Sequence, residues 1–406
     1  MIELFDVNKV REDFPILKNM INGKPIIYMD SACMSLKPKQ VIDSMNESYT
    51  KYTACHGRSA HKFGRKLTEE YQKSREKIAK HIGCKTEEVI FTRNTTEGIN
   101  LVANSLGLKN GDIVLTTDRE HNSNLLPWHL LSERFGVKHK IVLSKNDMTF
   151  DLNNFQNALG KNVKLVSFVH MSNLDGYTLP VKEIIKIAHD NGSLVLLDGA
   201  QAIPHKEVDM KGLDVDFYAF SGHKMLGPYG TGVLFGKFHL LEKLKPFIVG
   251  GDTVERTTYD SHIFLKPPEK FEAGLQNYSG AIGLAAATDY LDNVGKKNIE
   301  KHEVELNKLI TKEISGLDGI SIIGPSQAEL RGGIISFNVK GMPSHDVALM
   351  LDEMANIMVR SGQHCVHSWF DAHKIEGSVR ASLYLYNTKE ETKVFIDRIR
   401  EILRLR

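Results

Sequence analysis

Cysteine is scarce: four residues in 406, at positions 33, 55, 84 and 365, with no C-x-x-C pair among them. That excludes a disulfide-stapled scaffold and a redox pair of the thioredoxin kind. No apolar run approaches the ~18 residues that a membrane-spanning helix needs. An excess of one charge is also missing, because 52 Lys and Arg against 50 Asp and Glu leave a net charge of +2. Such a balance excludes a surface that holds nucleic acid mainly by electrostatics. The opening segment, residues 1–10, lacks the charged-then-apolar pattern of a secretory signal. There is no internal repeat and no low-complexity stretch. Together these absences predict a cytoplasmic protein whose thiols stay free, with no nucleic-acid or membrane partner.

What is present is an ordinary globular composition, 41% hydrophobic and 25% charged, enough for a sizeable core. The length predicts two domains. From about residue 38 to 245, helical and strand periodicities alternate. Strands are expected at Val89–Thr92, Asp112–Thr117, Val163–His170, Ser193–Asp198, Val215–Phe220 and Gly232–Gly236. Helices are expected near 66–82, from Thr95, at Leu125–Phe135 and at Pro180–Asp190. This alternation predicts an α/β fold, a mostly parallel sheet flanked by helices. After a loop at 267–277, two long helical patterns (278–294 and 296–315) lead into shorter strands near Ile320–Ile323, Gly333–Val339 and Arg380–Tyr386. Thr388 and Glu391 form a capping box that opens the last helix. The expected division is a large domain at 21–275 and a smaller C-terminal α+β domain at 276–406, joined by residues 1–20.

The chemistry-bearing residues fall at the ends of the predicted strands, where ligands of such sheets sit. Ser221-Gly-His-Lys224 follows one strand, and a lysine there can form a Schiff base with a cofactor aldehyde. The nearby glycines let backbone approach a phosphate, although the segment is not a Walker loop. Asp198 ends another strand; it suits a protonated pyridine nitrogen, or simply a helix N-cap. Thr95 and Thr96 open a helix whose free N–H groups suit a phosphate, or merely cap it. His121, after a third strand, can stack on a ring, move a proton, or serve the structure alone. Asn173 and Gln201 bring amides to neighbouring strand ends.

These motifs jointly resemble the fold-type I pyridoxal-phosphate enzymes of the class V aminotransferase family. Within it they are most similar to the SufS-type cysteine desulfurases, a group that also includes selenocysteine lyases. The resemblance rests on Thr95–Ala103, Glu120-His121, Asp198-Gly-Ala-Gln201, Phe220–Lys224, Phe271–Gly274, Arg360–Cys365 and Arg380–Thr388, and it runs from about Tyr28 onward. It implies the cofactor pyridoxal 5′-phosphate, with Lys224 as the Schiff-base lysine and Asp198 on the pyridine nitrogen. It also implies His121 over the ring and Asn173 and Gln201 on its hydroxyl side. Thr95, Thr96, Ser221 and His223 would hold the phosphate, and Arg380 would clamp the substrate carboxylate. Cys365 would take the sulfur of L-cysteine as a persulfide. A sulfur-acceptor or scaffold protein, a homodimer and a role in iron–sulfur cluster assembly are implied with it. Gln363–His367 is expected to be polar and exposed, its imidazoles favouring the Cys365 thiolate.

One departure concerns Leu275, which stands where the family has a threonine that reaches the phosphate of the neighbouring subunit; Leu275 has no donor for that contact. Cys55 inherits no role. Two rival readings are a selenocysteine lyase, using the same site, and a non-catalytic sulfur- or metal-binding module. In the latter, His364, Cys365 and His367 would be the ligands. No metal is expected in the preferred reading.

Overall fold

The computed structural model describes residues 5–405. Seven strands build the central sheet: β1 (Val89–Thr92), β2 (Ile113–Thr117), β3 (Lys138–Val142), β4 (Val163–Val169), β5 (Leu194–Asp198), β6 (Phe217–Ser221) and β7 (Gly232–Gly236). Their order is β1-β7-β6-β5-β4-β2-β3. Strands β2 to β6 pair in parallel, and β7 runs against both of its neighbours. The predicted mostly parallel sheet is therefore present, with β3 an edge strand that the periodicity did not mark. Lys138–Val142 alternates polar and apolar residues weakly and is largely exposed, whereas β6 is buried at every position. Continuous burial is what a strand covered on both faces requires.

Helices cover the sheet: α1 (Lys39–Lys51), α2 (Lys62–Ile82), α3 (Thr95–Ser105), α4 (Leu126–Phe135), α5 (Val181–Asp190) and α6 (Tyr278–Val294). Two glycines are set by close approach. A Cβ on Gly199 would lie 1.8 Å from the Tyr218 ring, and one on Gly232 would lie 2.7 Å from Cα of Asn94. The second contact brings the start of β7 against the turn that opens α3.

Beyond α6, helix α7 (Lys296–Ile314) leads to a four-stranded antiparallel sheet. Its strands are β8 (Ile320–Ile323), β9 (Ile334–Val339), β10 (Arg360–Gly362) and β11 (Ser378–Ser382), in the order β8-β9-β11-β10. Helices α8 (Ser344–Ala355) and α9 (Lys389–Arg404) pack with it around a second apolar cluster. The last helix carries the predicted box: Thr388 Oγ1 accepts from Glu391 N, and Glu391 accepts from Thr388 N. Arg11, near the amino end, donates to Tyr386 O and to Glu391, tying that segment to the C-terminal region. Helix α6 lies after residue 276, but its buried face belongs to the large core. We propose that the division between the two units falls after Val294. No helix among the described residues is long and apolar enough to cross a membrane.

One buried ion pair locks the loop before α6 to the large sheet. Glu272 accepts from both terminal nitrogens of Arg75 (2.7 and 2.8 Å), from Phe91 N and from the Tyr71 hydroxyl. Both charged side chains are buried. Removing one member strands the other charge without water, at a cost of about 3–5 kcal/mol. Glu272→Ala is therefore expected to lower unfolding free energy by about that much, measured by urea denaturation, while Glu269→Ala nearby leaves it unchanged within ~0.5 kcal/mol.

Candidate active site

All eleven residues singled out from the sequence line one cavity of about 210 Å³. Five strand ends supply nine of them: β1 leads to Thr95 and Thr96, β2 to His121, β4 to Asn173, β5 to Asp198 and Gln201, and β6 to Ser221, His223 and Lys224. The small sheet contributes Arg380 from β11 and Cys365 from the loop after β10. A larger groove, about 970 Å³, lies beside Lys80, Lys182 and Lys296 and holds none of these residues. Convergence of polar groups, not size, identifies the site.

At one end, the first turn of α3 faces Ser221. The Ser221 hydroxyl accepts from Thr95 N at 2.9 Å and pairs with Thr95 Oγ1 at 2.6 Å, while Thr96 Oγ1 pairs with Ser123 at 2.7 Å. Asn94 caps the helix by accepting from Glu97 N at 3.0 Å. Hydroxyls and a helix N-terminus together suit a phosphate. His223 borders the same end, its imidazole pulled down to about 4 by burial and by the Lys224 charge.

The middle of the cavity is electrostatically prepared. Asp198 is buried, and one carboxylate oxygen accepts from Ala200 N at 2.9 Å. Burial raises its pKa, opposed by that hydrogen bond and by the Lys224 charge. Lys224 makes no hydrogen bond among the described residues; burial disfavours its ammonium form, Asp198 favours it and Arg380 opposes it. An amine of this kind is suited to act as a nucleophile and proton carrier. His121 Nδ1 accepts from Ser123 N at 3.0 Å, which leaves the proton on Nε2. Burial first, then the Lys224 and Arg380 charges, press its pKa down to about 3. The ring is a neutral, planar surface. Gln201 donates to Ala32 O, and its Oε1 is buried without a partner. The donor set, the unpartnered amine and the orphaned amide oxygen fit a phosphorylated pyridine aldehyde.

The Cys365 end differs from the sequence-based expectation. His364 and Val366 are buried rather than exposed. His364 Nε2 pairs with Ser378 at 2.9 Å, and burial and the arginines press its pKa down to about 2. It is uncharged and gives no cationic support to the neighbouring thiol. His367 Nδ1 takes the Asn122 amide at 2.8 Å. Among the described residues no group of three or more His, Cys, Asp or Glu is placed to hold a metal ion. Three bonds fix the loop: Asn122 N to Cys365 O (2.8 Å), Asn173 Nδ2 to His364 O (2.8 Å) and Arg380 Nη1 to Asn173 O (2.9 Å). Asn173 thus commits one of its two amide N–H groups to the loop while also lining the cavity. His364 (φ 49°) and Cys365 (φ 60°) both adopt the left-handed region.

Sequence reasoning gave no role to three residues of this site. Arg360 was visible only inside the motif that ends in Cys365, yet it lines the cavity beside Arg380. Cys33, which no local motif marks, lines the cavity too, whereas Cys55 does not. Glu120 lies behind the wall, accepting from Thr117 Oγ1, Asn124 Nδ2 and Val169 N. Burial lifts its pKa to about 7 despite those bonds. The Glu120-His121 dipeptide was a signal for it.

Comparison with known proteins bears on this geometry. Residues 27–395 match the family described as aminotransferase class-V. The chain is 40% identical to a probable cysteine desulfurase of Halalkalibacterium halodurans, over 95% of each chain. It superposes on the apo structure of a cysteine desulfurase from Thermococcus onnurineus NA1 with a TM-score of 0.94 and 39% identity, covering 100% of both chains. A cysteine desulfurase of Escherichia coli, in an S-sulfonic acid form, gives a TM-score of 0.91 at 30% identity over 99% of this chain and all of that one.

The buried imidazoles yield a test. His170, at the end of β4, is bonded to the Tyr218 hydroxyl at 2.7 Å, and burial presses its pKa down to about 3. An unfolded chain takes up this proton below about pH 6.5 and the folded one does not, so the contribution of His170 is complete above 6.5 and falls with acidification. The stability gap between wild type and His170→Gln is expected to shrink by about 1.4 kcal/mol for each pH unit below 6.5. Denaturant titrations from pH 7.5 to 5 read this directly; a gap that stays constant would mean the folded protein protonates His170 as readily.

Proposed function

Since the chain belongs to the class-V aminotransferase family as one of its cysteine desulfurases, we propose that its cavity converts L-cysteine to L-alanine with pyridoxal 5′-phosphate as cofactor. The sulfur is left as a persulfide on Cys365. The observation that carries this reading is the convergence, in one small cavity, of an unpartnered Lys224, the buried Asp198 and a thiol delivered from the other sheet.

Thr95, Thr96, Ser221 and His223 would hold the cofactor phosphate. Asp198 would pair with the pyridine nitrogen, His121 would serve as a ring contact, and Gln201 would address the ring hydroxyl. When bound, the cofactor supplies an electron-poor ring that accepts the electron pair released at the substrate α-carbon. Lys224 moves the α-proton, a task that suits an amine whose charge burial disfavours. Arg380, buried with Nε unpartnered, receives the substrate carboxylate in bidentate fashion. Cys365 Sγ attacks the substrate sulfur, a sulfur–sulfur bond forms, and the carbon–sulfur bond breaks with its electrons left on carbon. Protonation of that carbon, and return of a proton from Lys224 to the α-carbon, gives alanine.

The persulfide leaves to the thiol of an acceptor or scaffold protein, with iron–sulfur cluster assembly as the expected consumer, in the manner of the SufS type. A homodimer is supported by the exposed apolar residues Val249, Tyr259, Ile263 and Leu275, which lie along the 249–275 segment. Leu275 offers an apolar contact there in place of a hydrogen bond.

Lys224→Ala is expected to reduce alanine formation by about 10²–10⁴-fold or more, with the folded state intact by circular dichroism. Parent-level turnover would assign the lysine's role elsewhere. Cys365→Ala separates the two halves of the reaction: the cofactor spectrum still responds to added cysteine, whereas alanine release collapses to background. Alanine assays with cysteine and selenocysteine, run side by side, read chalcogen preference; undiminished cysteine turnover in this variant would remove Cys365 from the mechanism.

A further inference from the structure

The substrate end of the cavity holds two thiols, not one. Cys33 follows the turn at Asp30 and is half-buried, with its side chain on the same cavity as Cys365. Arg360 Nη1 donates to Cys33 Sγ at 2.6 Å. Arg360 stands directly opposite Arg380 in the β10–β11 register, and both side chains line the cavity with this thiol. Both sulfur-bearing residues line the cavity that Lys224 lines. Arg380, 2% exposed, keeps Nε without a partner at this same end, while its Nη2 faces Asp30 Oδ1 at 3.5 Å. The cavity is therefore built to take a polar ligand beside Cys33. Cys33 serves no step of the reaction derived above.

We propose that Cys33 is a second sulfur-holding site, loaded from Cys365; this rests on the assignment of the persulfide to Cys365. Cys33 Sγ attacks the outer sulfur of the Cys365 persulfide. A bond forms between Cys33 and that sulfur, and the bond from it to Cys365 Sγ breaks. The electron pair returns to Cys365, and the proton of the Cys33 thiol passes to it, so a thiol and a persulfide have exchanged places. No oxidant or reductant is consumed. The persulfide's extra sulfur extends the reach of Cys365 toward Cys33 by one bond. Arg360 holds the attacking sulfur at the rim where the substrate carboxylate binds. With Cys365 emptied, a second cysteine can be processed before any acceptor arrives.

The test is sulfur stoichiometry on the cofactor-loaded enzyme, given excess L-cysteine without acceptor or reductant, with alanine and peptide masses measured together. Wild type is expected to release about two alanines per chain in the burst, against one for Cys33→Ser, and to carry added sulfur on the peptides of both Cys33 and Cys365. Neither peptide should gain sulfur in Cys365→Ala or Cys365→Ser. Sulfur on Cys365 alone in wild type overturns the second site and leaves the desulfurase reading intact. Sulfur reaching Cys33 in the Cys365 variants overturns the order of transfer. Alanine formed with sulfur on neither peptide overturns the persulfide assignment itself.

Discussion

The site depends on how the small sheet is fastened to the strand ends of the large one. Cys365 and Arg380 come from one sheet, and Lys224, Asp198 and His121 from the other, so neither sheet alone contains the chemistry. Hydrogen bonds of 2.8–2.9 Å through Asn122, Asn173 and Arg380 are among those that join them. Two of these use backbone carbonyls of the loop as acceptors, which fixes the path of the chain at Cys365 whatever its side chain does. A displacement of even one ångström at such a junction is felt at the reacting atoms, since positioning accounts for a large share of catalysis. Asn173 sits at the centre: its side chain holds the thiol loop, and its carbonyl holds the arginine.

Burial then does the electrostatic tuning. Burial disfavours the charged forms of Lys224, His121 and Asp198 alike, lowering the pKa of the two bases and raising that of the acid, because the same apolar sheet excludes water from all three. The result is a set of groups whose protonation answers to one another and to the arginines rather than to solvent. His364 belongs to this economy of neutral imidazoles, which is why it cannot supply the cationic support that its position beside Cys365 suggests.

Much of this was legible in the residues. Strands buried on both faces announce themselves as continuous apolar runs, and β1, β5 and β7 begin and end within a residue of expectation. The polar residues immediately after them defined the cavity, since the end of a parallel strand is where ligands lie. Edge strand β3 escaped because its residues are exposed and lack the run. The path of the thiol loop escaped for a different reason: polarity in Gln363–His367 says nothing of whether a histidine finds a buried partner such as Ser378. Cys33 and Arg360 meet only through the packing of a turn near residue 30 on strand β10, more than three hundred residues away in the chain. No periodicity or local motif records such a meeting.

The backbone at Cys365 has a consequence of its own. His364 and Cys365 both carry positive φ, a conformation that costs an L-residue on the order of 1 kcal/mol each relative to the ordinary regions. Asparagine or glycine would sit there with less strain, but neither carries a thiol. The loop therefore rests in a cocked state, like a latch held under tension by Asn122 and Asn173. Part of the cost of releasing the loop from those two residues is returned as the backbone relaxes, so the loop is held less firmly than the count of its hydrogen bonds implies.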